Sequence, residues 1–228
     1  CDIRGFTPIS EQYKSDPQGL TTLINRFLTP MTDIIMANGG TIDKYMGDCI
    51  MAFWNAPLDV ENQKQMAIKS SHQMLAHLKD LNDELKEEGS LPINVGIGLN
   101  TGEVVVGNMG SDQRFDYSCL GDAVNLAARL EGQSKEYGMK IILGEETAKD
   151  MEDEFVLIEL DTIAVKGKTE PVKIYTSLGT QYALEYSMNY EMPRQQHDKF
   201  LVFYRSQRWL LARRWINDLR DQFGGALV

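Results

Sequence analysis

Two long runs of helical apolar spacing, with a pair of short strands between them and alternating segments after them, constrain this chain more than any other feature. Over residues 17–38 the apolar Leu20, Leu23, Ile24, Phe27, Leu28, Met31, Ile34 and Ile35 recur at three- and four-residue intervals. Gly39-Gly40 closes the run, so the spacing predicts one long helix, bent at Pro30. A second long helix is expected over residues 59–87. Residues 41–45 and 49–54 read as short strands around Met46-Gly47-Asp48, a hairpin with an acid at its tip. Residues 93–100 alternate, with Val95, Ile97 and Leu99 on one face. Residues 102–108 answer them after Asn100-Thr101-Gly102, which predicts another hairpin. Helical spacing returns over residues 121–130 and a short buried strand follows at 140–143. Strands at 155–160 and 172–178 flank the polar segment Val165-Lys166-Gly167-Lys168-Thr169-Glu170-Pro171. The order lacks the regular strand–helix–strand rhythm of a parallel sheet. It predicts an α+β fold of ferredoxin-like or palm type, an antiparallel or mixed sheet with helices mainly on one face.

Pattern and charge both change near Gly179. Residues 181–228 carry seven Lys or Arg against five Asp or Glu, whereas residues 1–180 carry 16 against 28. The division expected is residues 1–179 as the main domain and residues 180–228 as a C-terminal helical extension. In the tail, Phe200, Phe203, Tyr204, Trp209, Leu210, Leu211, Trp215, Ile216 and Leu219 stand among arginines, consistent with one or two amphipathic helices. Tyr204, Gln207, Trp209 and Ala212 look like half of a tetratricopeptide-like unit, a surface for a regulatory partner or for the dimer; a helix packed on its own domain is the plainer alternative. At the other end, Cys1-Asp2-Ile3-Arg4 resembles the end of a strand, so the first strand is expected to be truncated.

The formal net charge of −10 argues against nucleic acid as a partner, because such binding draws its affinity from clustered Lys and Arg. Cys1, Cys49 and Cys119 lack the spacing of a disulfide framework or a zinc site, which suits a reducing, cytoplasmic setting. No apolar run approaches the ~20 residues that span a bilayer. A longer parent protein with a membrane anchor is compatible with this segment.

Asp2, at the end of the first strand, and Asp48, at the hairpin tip, are two carboxylates that can hold Mg²⁺ with nucleotide phosphates completing the oxygen shell. Each alone also reads as an ordinary turn acid. Asn125 and Arg129 stand four apart and share a helix face, an amide and a guanidinium suited to a ribose and a transferring phosphate. A solvated polar stripe opposite Val124, Leu126 and Leu130 is the alternative. Lys44 falls on the strand leading to Asp48, and Lys166 lies in a loop where it can meet a polyphosphate or simply be solvated.

Taken together, these pieces resemble the class III adenylate and guanylate cyclases, in the form of a bacterial-type adenylate cyclase catalytic domain. The resemblance rests on Asp2-Ile3-Arg4-Gly5-Phe6-Thr7, Asp43-Lys44-Tyr45-Met46-Gly47-Asp48, Gly107-Asn108-Met109-Gly110, Asp116-Tyr117-Ser118-Cys119-Leu120-Gly121-Asp122-Ala123-Val124-Asn125, Ala128-Arg129-Leu130-Glu131 and Val165-Lys166-Gly167-Lys168. These stand in the family's order and reach to about residue 178.

The resemblance implies a head-to-tail homodimer with composite sites and two Mg²⁺ or Mn²⁺ ions per site. Asp2, Asp48 and the Ile3 carbonyl would hold the metals. From the other subunit, Lys44 and Ser118 would read the base, Asn125 would orient the ribose, Arg129 would stabilise the transition state and Lys166 would hold the terminal phosphates. The reaction implied is attack of the ribose 3′-oxygen on the α-phosphorus of ATP, giving cyclic AMP for signalling. Guanylate cyclases of the family have Glu at the Lys44 position and Cys at the Ser118 position, and this chain has neither. Many bacterial-type adenylate cyclases have Thr where Ser118 stands, so the hydroxyl here lacks the methyl that restrains its rotamer. A guanylate cyclase is the enzymatic alternative. A regulatory pseudo-cyclase would be expected to lose a metal Asp or the Asn/Arg pair, and all four residues are present.

Overall fold

The computed structural model of the chain describes residues 1–164, 171–182 and 191–223. In chain order the elements are β1 (Asp2–Ile3), α1 (Phe6–Gln12), α2 (Pro17–Ala37), β2 (Gly40–Met46), β3 (Cys49–Trp54), α3 (Gln63–Glu87), β4 (Val95–Leu99), β5 (Val105–Ser111) and β6 (Arg114–Leu120). They continue with α4 (Asp122–Glu136), β7 (Ile141–Gly144), α5 (Glu145–Ala148), β8 (Phe155–Ile163), β9 (Val172–Thr180), α6 (Glu191–Arg205) and α7 (Trp209–Phe223).

Local sequence explains how the long helices start and what they bury. Asp16 caps α2 by accepting the Gly19 N–H at 2.9 Å, and Pro17 follows at the first helical position. The helix continues through Pro30, and Leu23, Phe27, Met31 and Ile35 form its buried stripe. On α3, Met74, Leu78, Leu81 and Leu85 do the same.

A mixed five-stranded sheet in the order β1-β4-β7-β9-β8 organises the domain, with β4 and β7 parallel and the other pairs antiparallel. Alternation along β7 sends Ile141 and Leu143 toward α2 and α3, and Ile142 toward Leu126 and Leu130 of α4. The two long helices therefore share one face while α4 crosses the other. Gly98 makes that crossing close, because a Cβ there would collide with the α4 backbone at Ala127 and Glu131.

The first expected hairpin forms as β2–β3, but the second does not. Residues 105–111 pair with β6 rather than with β4, Val105 facing Leu120 and Ser111 facing Arg114. Both edges of β4 are taken by β1 and β7, so its alternating partner lies elsewhere. The β5–β6 ribbon instead projects apolar side chains outward, with Val105, Phe115 and Leu120 all exposed.

In the tail, α6 lies against β8. His197 Nε2 donates to the Glu159 carbonyl at 2.8 Å, Arg205 pairs with the Glu159 carboxylate, and Leu201 is buried. Trp215 Nε1 donates to the Gln196 carbonyl at 2.8 Å, and Tyr204 meets Trp209 edge to face at 5.4 Å, which ties α7 to α6. Val202, Trp209 and Leu210 remain exposed. Among the described residues, no helix is long and apolar enough to cross a membrane.

Candidate active site

A two-residue turn sets Asp48. Met46 pairs with Cys49 across the hairpin, and Gly47 takes the left-handed conformation at φ 67° that a β-carbon disfavours. Beneath it, Cys1 exchanges backbone hydrogen bonds with Ile50 of β3 at 3.0 and 2.8 Å, while Asp2 and Ile3 pair with Gly96 and Val95 of β4. The first strand is thereby clamped between sheet and hairpin, which draws Asp2 toward Asp48. Burial pushes the Asp2 carboxyl above its ordinary range and the charge of Asp48 pushes it further. Two carboxylates that disfavour each other's charge are relieved by a divalent cation between them, so this pair fits a hard metal ion. The Ile3 side chain is sunk in the core, so only its backbone carbonyl is available as a further ligand. Among the described residues, no third His, Cys, Asp or Glu completes a metal cage. An ion here would keep open positions for water or phosphate oxygens.

A second cluster lies on the same hairpin. Lys44 Nζ stands 3.2 Å from Asp43 Oδ1, and Ser118 Oγ on β6 donates to Asp43 Oδ2 at 2.7 Å. Lys44 and Ser118, 74 positions apart in the chain, thus converge on one carboxylate that is itself fully covered, at 0% side-chain exposure. Asp43 is the residue that sequence reasoning missed. Its signal was position alone, inside the Asp43-Lys44 pair that begins the hairpin motif.

Asn125 and Arg129 stand one turn apart on α4, Asn125 exposed and Arg129 half-buried. Among the described residues Arg129 Nη1 is buried without a hydrogen-bond partner, a donor left over for an anion. Lys166 lies outside the described residues. Glu131 on the same helix is a carboxyl that burial pushes up, with the charge of Asp2 adding to the effect.

A cavity of about 680 Å³ opens beside Asp2, walled by β3, β4, α3 and the Ala123, Ala127 and Glu131 side of α4. Lys44, Ser118, Asn125 and Arg129 do not line it. Asp2 lines this cavity, whereas Asp48 lies outside it with them.

Comparison with known proteins places the chain in a defined context. Residues 1–179 match the family of the adenylate and guanylate cyclase catalytic domain. The adenylate cyclase of Anabaena cylindrica is 37% identical over 182 residues, covering 77% of this chain and 35% of that protein. Adenylate cyclase 1 of Rhizobium meliloti (strain 1021) is 29% identical over 183 residues, covering 80% of this chain and 27% of that protein. The chain thus spans about a third or less of these relatives' length. Among solved structures, the adenylyl cyclase CyaB from P. aeruginosa superposes with a TM-score of 0.71 at 36% identity, covering 80% of this chain and 93% of that one. The guanylyl cyclase Cya2 superposes with the same TM-score at 34% identity, covering 78% and 89%. An adenylyl and a guanylyl cyclase are equally good likenesses, so the choice of base has to be argued from side chains.

Proposed function

Because this chain belongs to the adenylate and guanylate cyclase catalytic domain family, we propose that it converts ATP to 3′,5′-cyclic AMP and pyrophosphate at composite sites shared between two copies of itself. The observation that carries the choice of ATP is the convergence of the Lys44 ammonium and the Ser118 hydroxyl on one spot. Adenine offers an acceptor at N1 and a donor at N6, which a Lys donor and a hydroxyl acceptor complement. Guanine, with an O6 acceptor and an N1 donor, calls for an exposed carboxylate facing the base. The carboxylate of Asp43 is covered and engaged by its own chain, so it does not supply one.

That Lys44, Ser118, Asn125 and Arg129 stay outside the cavity beside Asp2 supports a homodimer in which Asp2 and Asp48 of one copy meet Lys44, Ser118, Asn125, Arg129 and Lys166 of the other. Two Mg²⁺ or Mn²⁺ ions held by Asp2, Asp48 and the Ile3 carbonyl would supply the lowered pKa of the 3′-hydroxyl and the neutralisation of the triphosphate. Asn125 holds the ribose so that its 3′-oxygen lies in line with the α-phosphorus. As that O–P bond forms, the bond to pyrophosphate breaks, and Arg129 donates to the phosphate oxygens where charge accumulates. Lys166 retains the β- and γ-phosphates, and the 3′-proton passes to water. Residues 1–179 are the catalytic unit and residues 180–228 an extension that offers α6 and α7 to a regulatory partner. The setting is cytoplasmic, and the product serves signalling.

Mass spectrometry of the products formed from ATP and from GTP, in separate reactions with Mg²⁺ or Mn²⁺, tests this reading. Cyclic AMP is the expected major product. A predominance of cyclic GMP would overturn it in favour of a guanylate cyclase, the second reading that the likeness to Cya2 keeps in play.

A further inference from the structure

Strand β2 changes register between Ile42, which faces Ala52, and Lys44, which faces Met51, so Asp43 has no residue opposite it across the ladder. A bulge of this kind re-aims side chains beside a site. Here it turns Asp43 inward under β6, where three groups of its own chain meet the carboxylate. Oδ2 accepts from Ser118 Oγ at 2.7 Å and from the Cys119 N–H at 3.1 Å, and Lys44 Nζ stands 3.2 Å from Oδ1. The contact to Lys44 is one of charge and not an aligned hydrogen bond, since Oδ1 makes no hydrogen bond.

These partners dictate polarity. A carboxylate only accepts, so the Ser118 hydroxyl must donate its one proton to Asp43, and what it has left to offer is lone pairs. The ammonium is held by charge and keeps its protons for another acceptor. We propose that Asp43 is the positioning residue for purine selection, fixing Ser118 as an acceptor and Lys44 as a donor so that the pair accepts a 6-aminopurine and rejects a 6-oxopurine. This rests on the reading of Lys44 and Ser118 as the base contacts. A serine hydroxyl alone is ambivalent, able to rotate and donate to O6 of guanine. With no β-methyl to restrain its rotamer, Ser118 depends on Asp43 for a fixed direction.

The test uses the whole chain, the substrates ATP, GTP, purine riboside triphosphate and inosine triphosphate, and the variants Asp43→Asn, Ser118→Ala, Lys44→Ala and Asp43→Asn/Ser118→Ala. For each, kcat/KM and competitive binding of non-reactive ATP and GTP analogues are measured. The amide of Asn either loses its charge hold on Lys44 or donates to Ser118 and frees that hydroxyl to donate. The Asp43→Asn ratio of ATP to GTP use should therefore fall about 10-fold or more, the scale of one mismatched buried hydrogen bond. The double variant should lose less than the sum of the two single losses, because the part of the Asp43 effect that runs through Ser118 is already gone. An equal loss on all four nucleotides, with the ratio intact, would show a structural role only and overturn the inference. The unaltered protein gives an independent check should Asp43→Asn fail to fold. It should use ATP best, purine riboside triphosphate less well and inosine triphosphate least, because O6 faces fixed lone pairs; inosine triphosphate surpassing the unsubstituted purine would refute the fixed acceptor. If Ser118→Ala and Lys44→Ala also leave the ratio unchanged, the assignment of the base contacts has failed and the inference falls with it. If they shift it and Asp43→Asn does not, the inference alone is wrong.

Discussion

Three aspartates on or against one hairpin are in opposite electrostatic conditions. Asp43 is covered and surrounded by an ammonium, a hydroxyl and a backbone N–H. Asp2 has the charge of Asp48 beside it, and burial together with that repulsion pushes the Asp2 carboxyl up. A carboxylate satisfied by its own chain orders its neighbours; one left with a like charge beside it is arranged for a cation that the fold does not itself supply. The same residue type thus stands satisfied in the middle of β2 and beside a like charge at the hairpin tip, and partners rather than identity decide which.

The largest effect that can break this contrast comes from Asp48→Ala. Turnover should fall by at least about 1,000-fold, because one of two metal carboxylates is gone. The melting temperature should hold or rise, since a repulsion is removed. Steady-state kinetics with calorimetry checks both, and full activity of the variant would break the assignment of Asp48 as a ligand.

A smaller effect comes from pH and metal together. The Asp2 carboxyl titrates above its ordinary 3.8 in the folded chain. Between that value and the raised one the unfolded chain has already released its proton, so without a cation this group costs stability increasingly as pH rises through the window. Mg²⁺ or Mn²⁺ held by the ionised pair, as proposed, should offset that cost, raising the melting temperature by a few degrees at neutral pH, on the scale expected for ligand linkage. The stabilisation should fade as pH falls through the window and vanish in Asp2→Asn. An equal metal shift in Asp2→Asn, measured by scanning calorimetry, would mean that the ions bind elsewhere.

Much of this was legible in the sequence, and unevenly so. The stripes Leu23, Phe27, Met31, Ile35 and Met74, Leu78, Leu81, Leu85 carry their helical period openly, because burial of one face selects it. The pairing of β5 was not legible, because alternation tells which face a strand buries and not which strand lies beside it. Gly96 and Gly98 read as gaps in an alternating strand; only with α4 laid against them does their smallness acquire a reason. At the site, Asp2, Asp48, Lys44 and Ser118 were visible as motif positions, whereas Asp43 was not. Its role depends on a bulge and on contacts 75 and 76 residues away, which no local pattern encodes.

The central claim, that two half-sites from different copies make one active site, is tested most directly by mixing two inactive proteins. Asp48→Ala disables the carboxylate half and Arg129→Ala the phosphate half. In a mixed dimer one site receives both defects and the other neither. After equal mixing and verified subunit exchange, half of the dimers are mixed with one working site in two, so cyclic AMP production should return to about a quarter of the unaltered level. A mixture that stays inactive while exchange is confirmed would contradict the composite site and require Asp48 and Arg129 of the same copy to act together.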